Sequence, residues 1–428
     1  MRLRKLLFWG RMTPLETFPL GEILMKNRIN SNSGNLLFYS GVARALMTGD
    51  VALKHFFRED VDRLIQNMDA VNADCDGVVS PLANAFRPEY IPLLRQLTRF
   101  VRATKLPCWV IGVGMQARSE DELRGGFPYD GDVRDFVSAV LEKSALLGVR
   151  GEYTAAYLQS LGFVSEKHFS VIGCPSAYLH GDVLPQLRLR EPEELRRAAV
   201  NAAPGLPEAA NALIRRSMAT FEEVCFIPQR QRELWLLRYG YECSARSRTN
   251  APDYYPLTRR HPLYRSGSMA GFVSARSWMN FLEGHADFAF GSRIHGNLAA
   301  LLAGVPALLI SCDLRTRELA RYHGLPFVEG DALRGDEDIR ALYAAADYGE
   351  IGRRHPENFR RFVAFLEANG IENIYSGGET ARGDAPFDRA LMELPESPAL
   401  RPGMDVPLGE RLRSAEMYTQ ALRRRLKR

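Results

Sequence analysis

Cysteine is scarce in this chain, with six residues (75, 108, 174, 225, 243 and 312) scattered over 428 positions. None forms a Cys-x-x-Cys pair or has a histidine at metal-ligand spacing, so the sequence indicates neither a zinc site nor a disulfide framework. Reduced thiols and a cytosolic setting are the expectation. Long apolar runs are absent too. The N-terminus, MRLRKLLFWGRMTP, is basic, but its apolar run is only Leu6 to Trp9. That is too short for a signal-peptide core, and no later stretch is long enough to span a bilayer. Charge of one sign is also in short supply. The formal net charge is +5, too small in a chain of this length to suggest a polyanion partner, and nucleic acid is not expected.

That excess has an address. From Pro407 onward, seven Lys or Arg (411, 413, 423, 424, 425, 427 and 428) face only Glu410 and Glu416, which leaves the rest of the chain formally neutral. A solvated terminal helix with a charged face is the ordinary reading of such a tail. The alternative is weak peripheral contact with anionic lipid at the inner face of the membrane.

An apolar fraction of 46% is enough for more than one core. Short apolar runs at 77–80, 108–113, 147–150 and 171–173 alternate with helical patterns, and the same rhythm returns at 224–227, 288–290, 305–310 and 326–328. This predicts an α/β protein of two Rossmann-like lobes with a cleft between them, plus a C-terminal helical extension. The expected division is an N-terminal lobe over 1–181, a charged, Ala-rich helical linker over 182–218, a second lobe over 219–375, and a tether with a basic terminal helix over 376–428. No internal repeat is convincing.

In open α/β sheets ligands bind outside the carboxyl ends of the strands. That rule selects Asn84 in PLAN (81–84), Gly114 and Gln116 after the run ending at Val113, and Arg150 after Val149. Gly34 and Asn35, in SNSGN, open a helix and offer backbone donors to an anion. The most informative stretch is GSRIHGNLAALLAGVPALLI (291–310), a loop and a small-residue helix that stops at Gly304. A helix start carries partial positive charge and disfavours cations, yet Arg293 and His295 stand there, flanked by Ser292 and Gly296. An anion bound between these side chains and the helix start accounts for the pattern. His323, before Gly324, fits an ordinary cation at a helix end.

With SGN (33–35), VR (149–150), VIGCPS (171–176) and GSRIHGNLAALLAGVPALLISCD (291–313) in view, the sequence resembles the polysaccharide pyruvyl transferase family. The resemblance spans roughly 30 to 330. It implies a GT-B-like pair of lobes and transfer of the enolpyruvyl unit of phosphoenolpyruvate to a sugar of a cell-surface or exopolysaccharide, leaving a pyruvate ketal. In family terms Arg293 and His295 match an R-x-H that contacts phosphoenolpyruvate, Arg150 matches a further basic contact, and no cofactor beyond that donor is implied. His295 is the candidate catalytic group. PLAN stands where a glycine-rich turn is expected, so the acceptor, a saccharide that could be lipid-linked, does not carry over. Two other functions compete. A nucleotide-sugar glycosyltransferase or epimerase would want a carboxylate for the ribose diol, and 296–303 contains none; the third reading is a non-catalytic sugar- or anion-binding protein.

Overall fold

The computed structural model of the chain describes residues 3–117, 120–244, 249, 251–377 and 385–426. Two parallel sheets organise it. In the first, β1 (Arg4–Trp9), β2 (Val51–Phe56), β3 (Gly77–Pro81) and β4 (Cys108–Ile111) run in the order β2-β1-β3-β4. A parallel bridge from Val113 to Val149 carries it on to the pair β5 (Leu147–Val149) and β6 (Phe169–Val171). In the second, β7 (Arg197–Asn201), β8 (Glu223–Phe226), β9 (Phe288–Gly291), β10 (Ala307–Ser311) and β11 (Phe327–Glu329) take the order β11-β10-β9-β7-β8. The expected α/β class with two parallel halves is therefore what folds.

Helices cover the sheets through simple periodicities. In Ile91–Ala103 the residues Ile91, Leu94, Leu97 and Val101 recur at three- and four-residue spacing and are all buried. The helix Ile294–Leu302 is apolar nearly all round, with Leu298, Ala299, Ala300, Leu301 and Leu302 each at most 3% exposed, as suits an element enclosed on every side. Gly304, at φ +72°, ends it in the left-handed region that glycine adopts without penalty.

Several expectations are corrected. Leu6–Trp9, an unassigned apolar run in the sequence, is the core of β1, an inner strand buried on both faces. A continuous apolar run is what such a strand requires. The segment 182–218 is not a helical linker throughout: β7 lies within it and occupies an inner position of the second sheet, followed by the helix Glu208–Met218. Ala198 and Ala199 favour helix in isolation, but pairing to β8 and β9 on either side overrides that preference.

The helix Glu350–Ala368 returns to the first half. Phe362 stacks on Tyr178, and a side chain at Gly148 would collide with Phe365. The described part of the expected tether is packed rather than loose. Its helix Pro386–Glu393 buries Phe387, and Leu400 pairs antiparallel with Gly271 through bonds of 2.8 and 2.9 Å. Apolar side chains in a Gly/Pro-rich stretch gave it somewhere to dock. The terminal helix Leu408–Leu426 is anchored by Glu410, which receives both Arg238 (3.0 and 3.1 Å) and the Tyr239 hydroxyl (3.0 Å), and by Tyr418 stacked on Tyr241. Lys427 and Arg428 lie outside the described residues, as do the side chains of Arg423, Arg424 and Arg425. Among the described residues no helix is long and apolar enough to cross a membrane.

Candidate active site

The carboxyl ends of strands from both halves open onto one cleft of about 1130 Å³. Asn35, Asn84, Arg150 and His295 line it, from four separate segments. Arg150 follows β5 and is only 1% exposed. Its guanidinium lies 5.1 Å from the Phe38 ring, and its Nη2 donates to Cys174 Sγ at 3.5 Å. Its Nε has no hydrogen-bond partner among the described residues. It does not pair with Glu152 on the surface, the ordinary alternative for an arginine at that position. Gly114 makes room for it, since a Cβ there would come within 3.0 Å of Arg150 Cδ.

His295 is the second residue of the helix Ile294–Leu302, and Arg293 before it is extended (φ −96°, ψ 111°), so the loop persists only as far as the helix start. The imidazole Nε2 lies 3.6 Å from Cys174 Sγ, which places one thiol between His295 and Arg150. Burial holds the imidazole well below its usual pKa, and the charges of Arg150, Arg315 and Arg293 push the same way. Its neutral form is therefore favoured. Gly34 packs directly against it, because a Cβ there would stand 2.8 Å from Nδ1.

Arg293 is not part of the cleft lining. Its backbone N–H donates to Asn201 Oδ1 (3.0 Å) and its Nε to the Ala202 carbonyl (3.4 Å), while its Nη2 is buried without a partner. Burial lowers its pKa. Ser292 and Gly296 are likewise structural: Ser292 Oγ accepts from Ala203 N–H, and Gly296 is pressed against Asn201 and Gln229. Asn35 lines the cleft, but its amide donates to the Ile29 and Asn30 carbonyls and so braces the preceding loop. That loop holds Asn27, Asn30 and Ser31 at positive φ, a strained run whose side chains face the cleft. Asn84 meets the amide of Gln116 at 3.0 Å, and Gln116 itself is exposed outside the cleft lining.

Three residues were not singled out from the sequence for the parts they play. Arg315, at the start of the helix Leu314–His323, lines the cleft, and its charge is felt by Arg87, Arg150, Arg293 and His295. Asp313 caps that helix through Thr316 and pairs with Arg315 at 3.2 Å. An arginine in the first turn of a helix that follows a strand is the same signal that marked Arg293, and it would have found Arg315. Cys174 stood in VIGCPS without a role.

Glu318, one turn after Arg315, is 5% exposed and caps the helix Glu152–Ser160 by accepting from Thr154 N (2.8 Å) and Thr154 Oγ1 (3.1 Å). Burial raises its carboxyl to about 7 against the pull of Thr154 and Arg150. His323 is not a helix-end cation. Buried at 3% exposure, its Nε2 accepts from Cys174 N–H at 2.8 Å, and burial lowers its pKa to about 3.

A buried guanidinium with an unpaired N–H, a neutral imidazole and a second guanidinium, that of Arg315, thus converge at one end of a cleft with no carboxylate among the charges that act on His295. Such a pole attracts a small, dense anion. Binding one would also return a proton to the imidazole. Among the described residues no group of three or more His, Cys, Asp or Glu side chains is gathered as for a metal ion.

A family model described as polysaccharide pyruvyl transferase matches residues 36–313. No curated protein matches the sequence. Among solved structures, UDP-N-acetylglucosamine 2-epimerase from Rickettsia bellii is 11% identical, with a TM-score of 0.42 over 86% of this chain and 97% of that one. UDP-GlcNAc 2-epimerase of Methanocaldococcus jannaschii is 10% identical, with a TM-score of 0.40 over 85% of this chain and 99% of that one. The calicheamicin glycosyltransferase CalG4 is 15% identical, with a TM-score of 0.32 over 85% and 95%.

Proposed function

The chain belongs to the polysaccharide pyruvyl transferase family, and from that premise we propose that it transfers the enolpyruvyl unit of phosphoenolpyruvate to a saccharide, forming a pyruvate ketal. The observation that carries this reading is the pole formed by Arg150, His295 and Arg315, with Arg293 behind it. Phosphoenolpyruvate presents a carboxylate and a phosphate close together, and guanidinium groups bind either bidentately. The unpaired Nε–H of Arg150 is a donor such an anion would satisfy.

In this reading the anion raises the pKa of His295, and the imidazolium then gives its proton to the donor's methylene carbon. The cationic carbon this leaves is captured by one sugar hydroxyl, which loses its proton. The carbon–oxygen bond to phosphate then breaks and phosphate departs. A second hydroxyl closes the ketal and releases its proton. His295, neutral again after the first step, can accept one of the two hydroxyl protons. Cys174, between His295 and Arg150, holds the two groups in register.

Thermal-shift binding tests the donor. Phosphoenolpyruvate should stabilise the protein more than UDP-N-acetylglucosamine does, and inorganic phosphate should appear only when donor and a saccharide acceptor are both supplied. Stabilisation by the nucleotide sugar alone would overturn the reading.

A further inference from the structure

The cleft is larger than one small anion needs, since pockets for whole drug-sized ligands run to about 300–1,000 Å³. It is also unevenly charged. Seven arginines line it against two glutamates, although apart from the terminal segment the chain is formally neutral. Three of these arginines are not members of the donor pole, and each follows a different strand: Arg58 after β2, Arg87 after β3, and, from the second half, Arg230 after β8.

Arg87 reaches Glu89 only at 3.8 Å, and that glutamate side chain is 76% exposed. Glu233, the other acidic residue of the lining, is 2% exposed and already accepts from the Tyr255 hydroxyl (2.7 Å) and Arg230 N–H (3.0 Å). Burial and the charge of Arg315 both disfavour the protonated Arg87. An anion bound beside Arg87 would offset this repulsion, and a neutral sugar would not.

We propose that Arg58, Arg87 and Arg230 form a second anion subsite, and that the saccharide acceptor enters the cleft by a phosphate or carboxylate of its own. The loop of Asn27, Asn30, Ser31 and Asn32 stands on the same lining. This inference rests on the proposed division of the cleft into a donor pole and an acceptor side.

Calorimetric titration tests it with glucose 1-phosphate, glucuronate and methyl glucoside as probes, each with and without saturating phosphoenolpyruvate. Either acid should bind about tenfold or more tightly than the neutral glucoside, more weakly as salt is raised, and without displacing phosphoenolpyruvate. Preference for glucose 1-phosphate identifies a phosphate-linked acceptor, and preference for glucuronate an acidic sugar. The double variant Arg58→Gln, Arg87→Gln should lose at least about tenfold in affinity for the acid while binding phosphoenolpyruvate as the wild type does, and Arg87→Lys should recover part of the loss. Equal binding of acid and glucoside, no binding of either acid, competition of the acid with phosphoenolpyruvate, or an unchanged double variant would each overturn the subsite. Failure of phosphoenolpyruvate to bind, with acid binding intact, would sink the donor assignment alone.

Discussion

In the proposed reading His295 moves the proton while Arg293, behind the cleft lining, adds only its charge, and substitution should separate them. Arg293→Ala should weaken phosphoenolpyruvate binding by about 1 kcal/mol, read by titration calorimetry. Arg293→Lys, which keeps the charge, should recover most of that loss. His295 starts neutral, so binding a dense anion should draw a proton onto it. Proton uptake, measured from the dependence of binding heat on buffer ionisation enthalpy, should accompany phosphoenolpyruvate binding to the wild type and shrink in His295→Gln. Affinity should correspondingly rise as pH falls, less steeply in the variant. Turnover by His295→Gln should drop about 10² to 10⁴-fold with a much smaller change in affinity. His295 was legible as a cleft residue because cations at a helix start contradict the helix dipole, whereas the same signal placed Arg293 in a lining it does not join. Arg315 carried the same first-turn signal and was passed over. Cys174 was hidden because a lone thiol has no spacing to betray it. The part Arg150 plays, by contrast, depends on a burial that no local pattern discloses.

At the scale of elements, the helix Leu314–His323 ties the halves together, because its Glu318 caps a helix of the first half. The carboxyl stands at about 7 in the folded protein against an ordinary 4.5. A raised acid favours the folded state fully below pH 4.5, and that contribution is lost as pH climbs through 7. Glu318→Gln keeps an acceptor for Thr154 without the charge. Its melting temperature should match the wild type near pH 5 and exceed it at pH 8, by the equivalent of at most about 3 kcal/mol. Glu318→Ala should lie about 0.5–2 kcal/mol below Glu318→Gln at both pH values, through loss of the cap. Elements with strong periodicity or uninterrupted apolar runs, such as Ile91–Ala103 and β4, were legible. β1 was missed because its four apolar residues were weighed only against targeting signals, and β7 because Arg-Ala-Ala-Val-Asn has helix-favouring local chemistry that neighbouring strands overrule.

For the molecule as a whole, the terminal helix is a structural member. Glu410 and Arg238 are 13% and 8% exposed at their side chains, so Glu410→Ala strands a nearly buried guanidinium and should cost about 3–5 kcal/mol in chemical denaturation, with Arg238→Ala in the same background adding little. The parallel strand orders carry a consequence for synthesis. In each sheet the first strand to leave the ribosome, β1 or β7, takes an inner place, and the strands that follow add on one side of it and then the other. Each half can thus assemble outward as it emerges, without prising open pairs already made, which suits a chain whose domains fold while translation continues at about 5–20 residues per second. Arg150 and Cys174 are in place before β9 emerges. Arg293 and His295 close the donor pole later, against a wall already built, and the strap that pairs Leu400 with Gly271 can be fastened only after them.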